Sequence, residues 1–392
     1  MPALSFQDAR AIVLREIRAA NRLDPARPGA ETVALGSCRG RVLAEDVRAD
    51  RDYPPFDRSM RDGFAVRAAY IPGTLKVIGE VRAGQTFAGV VNAEEAVEIM
   101  TGAPLPEGAD AVVMVEHWGT ERSLKSGENV APRGCEAAAG SVVLPKGTRL
   151  DYTSIACLAS VGRTSAAAFV KPRVAILSTG DEVVDVGDTP SCAQIRNSNA
   201  WSLAAQVERA GGIAVVLPVA RDTKDDTRRR IEQGLECDLL LLSGGVSAGK
   251  YDVVEPVLAE LGATFFFDRV LIQPGQPLVF GQVRQKFFFG LPGNPASTMV
   301  TFELFARAAI GLLSGATDTD LPLALARLTR PFSHRPGLTR FLPAELRGAG
   351  VTPVAWKGSG DIPSLCRANV YLVAEPDKAE YAAGEPISIL IK

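Results

Sequence analysis

Four consecutive leucines, Leu239 to Leu242, stand between Asp238 and the break Ser243-Gly244-Gly245, and they constrain this chain more than any other stretch. An unbroken apolar run of strand length has no polar face to give to water, so it belongs in a parallel sheet covered by helices on both sides. The carboxyl end of such a strand is where open α/β sheets bind ligands, and glycines there let backbone N–H groups approach a phosphate with no Cβ in the way. The alternative is an ordinary turn in which the glycines serve only a positive φ. The loop runs on through Ser247 and Gly249-Lys250 to Asp252. Gly244 to Lys250 satisfies most of a phosphate-loop pattern, but Tyr251 stands where a Ser or Thr would hold Mg²⁺, which makes a nucleotide triphosphatase a near miss. No G-x-G-x-x-G follows a predicted strand, which argues against a dinucleotide fold.

The flanking pattern agrees with a doubly wound α/β domain. From Lys171-Pro172 onward, strands are predicted at 173–177, 213–217, 277–280 and 286–289. Helices are predicted at 198–210, 225–235 and 253–261, with a long one opening at Gly-Asn294-Pro295. Ahead of this domain, Ser5 and Asp8 resemble a capping box for an amphipathic opening helix. A Pro- and Ala-rich excursion at 22–36 and a short strand at 41–47 follow. Residues 49–145 then break into β-favouring pieces (75–81, 97–100, 111–115, 141–144) between Pro/Gly turns, an inserted small β domain ahead of a helix at 151–161. After Gly315 the alternating Leu321, Leu323 and Leu325 and a closing strand at 387–391 fit a small β-barrel or sandwich.

Composition narrows the function classes. A chain of 392 residues makes two to four domains. A net charge of −2 provides no basic field for nucleic acid or an anionic membrane. No apolar run approaches the ~20 residues of a membrane helix and the N-terminus lacks a leader pattern, so a cytoplasmic protein is expected. Six dispersed cysteines without a C-x-x-C read as buried reduced thiols. Two histidines leave little room for a His-based triad or metal site. Chemistry must fall on carboxylates, Arg and Lys, hydroxyls and backbone amides.

Several segments carry such groups. Thr179-Gly180-Asp181-Glu182 follows an apolar strand, and adjacent carboxylates there suit Mg²⁺ or hydrogen bonding to a heterocycle. Arg196-Asn197-Ser198-Asn199 puts a cation and polar side chains at a helix start, which suits anion capture. Asp222 follows the next strand and Asp252 the glycine loop. In the proposed winding Glu182, Asp222 and Asp252 reach one sheet edge beside Ser243, Gly244, Gly245 and Ser247, and a cation is needed between such acids and a phosphate. Pro292-Gly293-Asn294-Pro295 stiffens a turn whose helix N-terminus points at the same edge. By itself, the run Asp57 to Gly63 reads as a solvated loop and Thr101-Gly102 as a plain turn.

Taken together, residues 54–65, 99–110, 178–182, 194–199, 241–252, 274–277 and 291–297 resemble the molybdopterin molybdenumtransferase family, the MoeA proteins and the gephyrin E domain, over essentially the full chain. The resemblance implies an elongated linker and dimerisation domain (1–48 and 146–171) and an inserted β domain (49–145). It further implies a molybdopterin-binding α/β domain (172–316) and a C-terminal β-barrel (317–392). It implies insertion of molybdenum from molybdate into adenylylated molybdopterin with release of AMP, dependent on Mg²⁺, in a homodimer with its site at the subunit interface. Glu182, Asp222 and Asp252 match acidic active-site positions and potential metal ligands. Asp62 and Thr101 match positions that reach into the partner's cleft. Pro292, Pro295, Arg340 and Ser359 match positions around molybdate, and Lys250 stands where an acid is common. Where the family has a Lys-x-x-x-Lys-Pro-Gly-Lys-Pro pattern, this chain has Arg269, Gln273 and Gln276; the amides still donate hydrogen bonds, but two cations are missing. Arg61 replaces an apolar residue before Asp62. A non-catalytic pterin-binding scaffold and a tungstate-handling relative are the alternatives.

Overall fold

The computed structural model describes residues 1–23, 29–245 and 253–392. At its centre is a six-stranded sheet ordered Ile213–Val216, Arg173–Ser178, Leu239–Ser243, Lys286–Leu291, Val279–Val283, Thr264–Phe267. The first four strands are parallel and the last two antiparallel. The leucine strand lies inside the sheet with all five residues buried. Leu239 and Leu241 enter one core with the helices Phe6–Leu23, Ser198–Ala210 and Pro295–Leu313; Leu240 and Leu242 enter the opposite core with Lys224–Gly234 and Val254–Glu260. Successive side chains point to opposite faces, so two covered faces account for the missing alternation.

Three departures from the sequence reading have physical causes. Val279–Val283 and Lys286–Leu291 form an antiparallel hairpin around Arg284 and Gln285, both at positive φ, and Thr264–Phe267 extends that edge. The doubly wound sheet is therefore mixed. The predicted strand at 41–47 reduces to isolated bridges at Val42 and Leu43 and the short strand Val47–Arg48. The opening helix does not form a separate core with 30–48: Ala9, Val13 and Ile17 are buried beside Val300, Phe305 and Ile310 of the α/β domain. Its neighbours in sequence pair elsewhere, Ala30–Ala34 with Ser165–Phe169 and Val47–Arg48 with Val142–Leu144.

The inserted unit is a four-stranded sheet ordered Lys76–Val81, Glu95–Ile99, Gly63–Val66, Ala111–Met114. Its central strand approaches its neighbour so closely that a Cβ on Gly63 would lie 1.9 Å from the Val113 carbonyl oxygen. The C-terminal region closes into a five-stranded barrel of Leu323–Leu328, Thr339–Arg347, Gly350–Pro353, Val370–Ala374 and Pro386–Ile391. Ile272–Gln273 of the α/β domain pairs in parallel with Thr339 and Arg340, stitching the two domains together. The helix Pro295–Leu313 is long and apolar enough to cross a membrane, but 83% of it is buried in the protein, as a core helix should be. Six free thiols are present, yet only Cys38 and Cys237 are buried; Cys135, Cys192 and Cys366 are exposed on loops and a helix end, which corrects the expectation of uniformly buried cysteines.

Candidate active site

The four parallel strands end on one rim at Ser178, Val216, Ser243 and Leu291. Main-chain hydrogen bonds extend the pairing past the strands: Thr179 N donates to Ser243 O (3.2 Å), Gly180 N to Ala220 O (3.1 Å) and Gly244 N to Leu291 O (3.2 Å). The loops carrying Thr179–Glu182, Asp222, Ser243–Gly245 and Pro292–Pro295 are thus brought together, as the winding requires.

Glycine is needed at this rim. Gly245 has φ +65°, and a Cβ there would lie 2.7 Å from both Thr179 Oγ1 and a Val254 methyl. At Gly180 (φ +133°) the same space holds the Glu182 carboxylate, 2.5 Å from the position of a Cβ. Backbone and side-chain oxygen therefore share a volume that any larger residue would fill.

The acidic side chains are exposed and interlinked. Asp181 N donates to Asp222 Oδ2 (3.3 Å) and Asp222 N to Asp181 Oδ1 (3.4 Å), a reciprocal clasp between two loops. Arg221 Nη1 donates to Asp181 O (3.4 Å) and Arg196 Nε to Asp188 O (3.1 Å), so these cations serve the loop backbone. Among the described residues no group of three or more His, Cys, Asp or Glu side chains is placed to hold a metal ion. The third expected acid, Asp252, lies outside the described residues, as do Ser247 and Lys250.

The C-terminal domain meets the α/β domain beside the Pro292–Pro295 turn. Ala296 N donates to Ser359 O (2.9 Å), and Gln273 pairs with Arg340, whose buried Nε has no partner among the described residues. The turn between them packs on the long helix, since a Cβ on Gly275 would meet a Thr301 methyl at 2.4 Å. Arg269, Gln273 and Gln276 are exposed, and Pro292 and Pro295 flank the exposed Gly293 and Asn294. This side bears guanidinium and amide donors and the other carboxylates, a polarity suited to an oxyanion beside a cation-bridged phosphate.

Asp62 and Thr101 stand apart, exposed on the inserted sheet. Asp62 Oδ1 accepts from the Thr101 N–H (2.6 Å) and hydroxyl (2.8 Å), which holds the carboxyl below the usual range, the backbone donor first. Neither hydrogen-bonds to the α/β domain among the described residues.

The sequence reading gave Arg196-Asn197-Ser198-Asn199 to anion capture as a group; the structure shows partners for the two asparagines that it did not foresee. Asn197 Oδ1 caps the helix Ser198–Ala210 and accepts from Ser178 Oγ (2.9 Å), while Asn199 Nδ2 donates to Ser243 Oγ (2.9 Å) and Gly293 O (2.7 Å). The Asn-Ser-Asn run signalled a helix start, but not which strand ends it would touch.

Three family models cover the chain: the MoeA N-terminal region (domain I and II) at residues 4–162, the probable molybdopterin binding domain at 175–311 and the MoeA C-terminal region (domain IV) at 325–392. A molybdopterin molybdenumtransferase of Bacillus subtilis is 35% identical over 385 residues, 92% of this chain and 89% of that protein. Its Staphylococcus aureus counterpart is 32% identical over 379 residues, 92% and 90% of the two chains. Among solved structures, a molybdopterin biosynthesis MoeA protein from Pyrococcus horikoshii superposes with a TM-score of 0.78 at 28% identity, covering 100% of both chains. Three consecutive family regions, full-length relatives and a shared architecture say that this chain belongs to the MoeA family of molybdopterin molybdenumtransferases, in molybdenum cofactor biosynthesis.

Proposed function

We propose that the chain transfers molybdenum from molybdate into adenylylated molybdopterin with release of AMP, as a Mg²⁺-dependent cytoplasmic homodimer in which Asp62 and Thr101 of each subunit complete the other's cleft. The observation that carries this reading is the convergence of Thr179–Glu182, Asp222, Ser243–Gly245 and Pro292–Pro295 at one rim, with Ser359 of the C-terminal domain beside that turn and Arg340 paired with Gln273. The glycine turns would take the pterin phosphate, and the Arg340 guanidinium, the Gln273 and Gln276 amides and the Pro292–Pro295 turn would surround the molybdate substrate. Arg269 would add its charge at the entrance.

The donor chemistry suits Mg²⁺, because Glu182 and Asp222 offer exposed hard carboxylate oxygens. Glu182, Asp222 and Asp252 are the residues that would hold it. Bound there, the ion would neutralise phosphate charge in the cleavage of the adenylate. In that step a water oxygen bonds to phosphorus, the bond to the pterin-side phosphate oxygen breaks, and AMP leaves. Asp222 or Asp252 would orient the water and take up its proton. The cleft holds pterin dithiolene and molybdate side by side, replacing a bimolecular encounter with a positioned one.

Incubating the protein with adenylylated molybdopterin, Mg²⁺ and molybdate, then measuring AMP and metal-loaded cofactor, tests the reading. Stoichiometric AMP, lost in the Asp62→Ala and Glu182→Gln variants, is expected. Tight pterin binding without AMP release would favour a scaffold, a reading kept open by the neutral Gln273 and Gln276; preferential loading with tungstate would change the assigned oxyanion.

A further inference from the structure

Ser178 and Ser243 end two adjacent strands and face each other in register. Each is held by an asparagine from the same helix start, Ser178 by Asn197 and Ser243 by Asn199. The second asparagine does more than its neighbour. Its Nδ2 gives one hydrogen to Ser243 Oγ at the root of the glycine loop and the other to Gly293 O in the turn before the long helix. A backbone carbonyl only accepts, so the amide is fixed with nitrogen toward Gly293 and its Oδ1 on the other side. Among the described residues that buried Oδ1 has no partner, nor has the buried hydroxyl of Thr179, a residue only 5% exposed. An unmade hydrogen bond at a buried polar atom is costly, and at this rim a ligand group or water can complete these two.

We infer that Asn199 is a positioning residue of the molybdopterin site, bracing the strand end at Ser243 and the following Gly244-Gly245 against the Pro292–Pro295 turn so that their amide groups keep one spacing toward the ligand. This rests on the assignment of that rim to molybdopterin. Helix start, strand end and proline turn come from three separate segments, and this one carboxamide joins all three. Without it the side-chain link between Ser243 and Gly293 is gone, and the spacing of turn and loop is left to the main-chain hydrogen bond from Gly244 N to Leu291 O. The loss falls on ligand geometry, because the sheet beneath is held by its own ladder and by buried leucines.

The test compares wild type with Asn199→Ala and the near-isosteric Asn199→Asp, reading molybdopterin affinity, KM and kcat for AMP release, and the melting temperature in the same buffer. Asn199→Ala should weaken molybdopterin binding and kcat/KM by about 10- to 100-fold, with the loss mainly in KM, while melting stays within about 3 °C of wild type. Asn199→Asp places a carboxylate against the Gly293 carbonyl and should bind worst near neutral pH. It should recover relative to wild type as pH falls toward the carboxyl range near 4, where a protonated oxygen can donate again. Affinity within about twofold of wild type for Asn199→Ala would overturn the inference. So would a loss matched by a proportionate fall in melting temperature, or an Asp variant whose deficit does not change with pH. A wild-type protein that binds molybdopterin but releases no AMP would sink the transfer reaction alone, because the affinity comparison still decides the role of Asn199.

Discussion

Removing the carboxylate of Glu303 should destabilise the α/β domain and leave its rim intact. Glu303 is 4% exposed and sits in the π-helical turn Phe302–Ala306 inside the long helix. Gln206 Nε2 (2.5 Å) and Arg209 Nη2 donate to its Oε1, and Arg307 Nε lies 3.9 Å from Oε2. Deleting one partner of a buried ion pair costs about 3–5 kcal/mol when the other charge is stranded. Here the Arg209 side chain is half exposed and can rehydrate, whereas Arg307 is only 26% exposed and burial already lowers its pKa. The cost of Glu303→Ala should therefore fall below that range, at about 2–3 kcal/mol. At about 2–4 °C per kcal/mol for a unit of this size, melting should drop by about 5–10 °C. Scanning calorimetry of Glu303→Ala, Arg209→Ala and the double variant measures it. Coupling should make Arg209→Ala nearly silent in the Glu303→Ala background. A single variant melting within about 1 °C of the parent would refute the argument, as would simple additivity.

Two further outcomes are expected. Lysine at Gln273 and Gln276 adds two exposed cations, the first on the residue paired with Arg340, and should lower KM for molybdate several-fold, an effect that fades as salt rises from about 0.05 to 0.5 M; an unchanged KM at low salt would place the oxyanion elsewhere. Asp151 caps the helix Tyr152–Ser160, and hydrogen bonds from the Ser154 N–H, Thr153 and Ser154 hydroxyls bring its pKa down to about 2. A depressed carboxyl contributes stability above its unfolded value near 3.9 that disappears as pH falls toward 2. Acid melting of Asp151→Asn should thus lack the part of the wild-type decline that lies between those values.

Much of this was legible because it rested on local physics. Leu239 to Leu242 announced a strand covered on both faces, and the helix Ser198–Ala210 matched its predicted bounds because Asn197 supplies a cap and Gly211 an αL stop. Residues after apolar strands converged because parallel strands share a rim. The hairpin at Arg284-Gln285 stayed hidden because neither residue is a turn glycine, and Thr264–Phe267 because three phenylalanines do not declare an edge. The packing of the opening helix on Val300 and Phe305 depends on surfaces that no local pattern specifies. The same holds for the Asn199 brace: an asparagine at a helix start reads as a cap, and its real partners are 44 and 94 residues away.

The stitch between Ile272–Gln273 and Thr339–Arg340, with the Ala296 to Ser359 contact beside it, bears on how molybdopterin gets in. Rocking the barrel away from the sheet would tear main-chain hydrogen bonds, so those two bodies ride as one jaw. The inserted sheet, with the exposed Asp62, joins the rest of the chain past the two-stranded ribbon of Val47–Arg48 and Val142–Leu144, where no comparable stitch to the barrel is formed among the described residues.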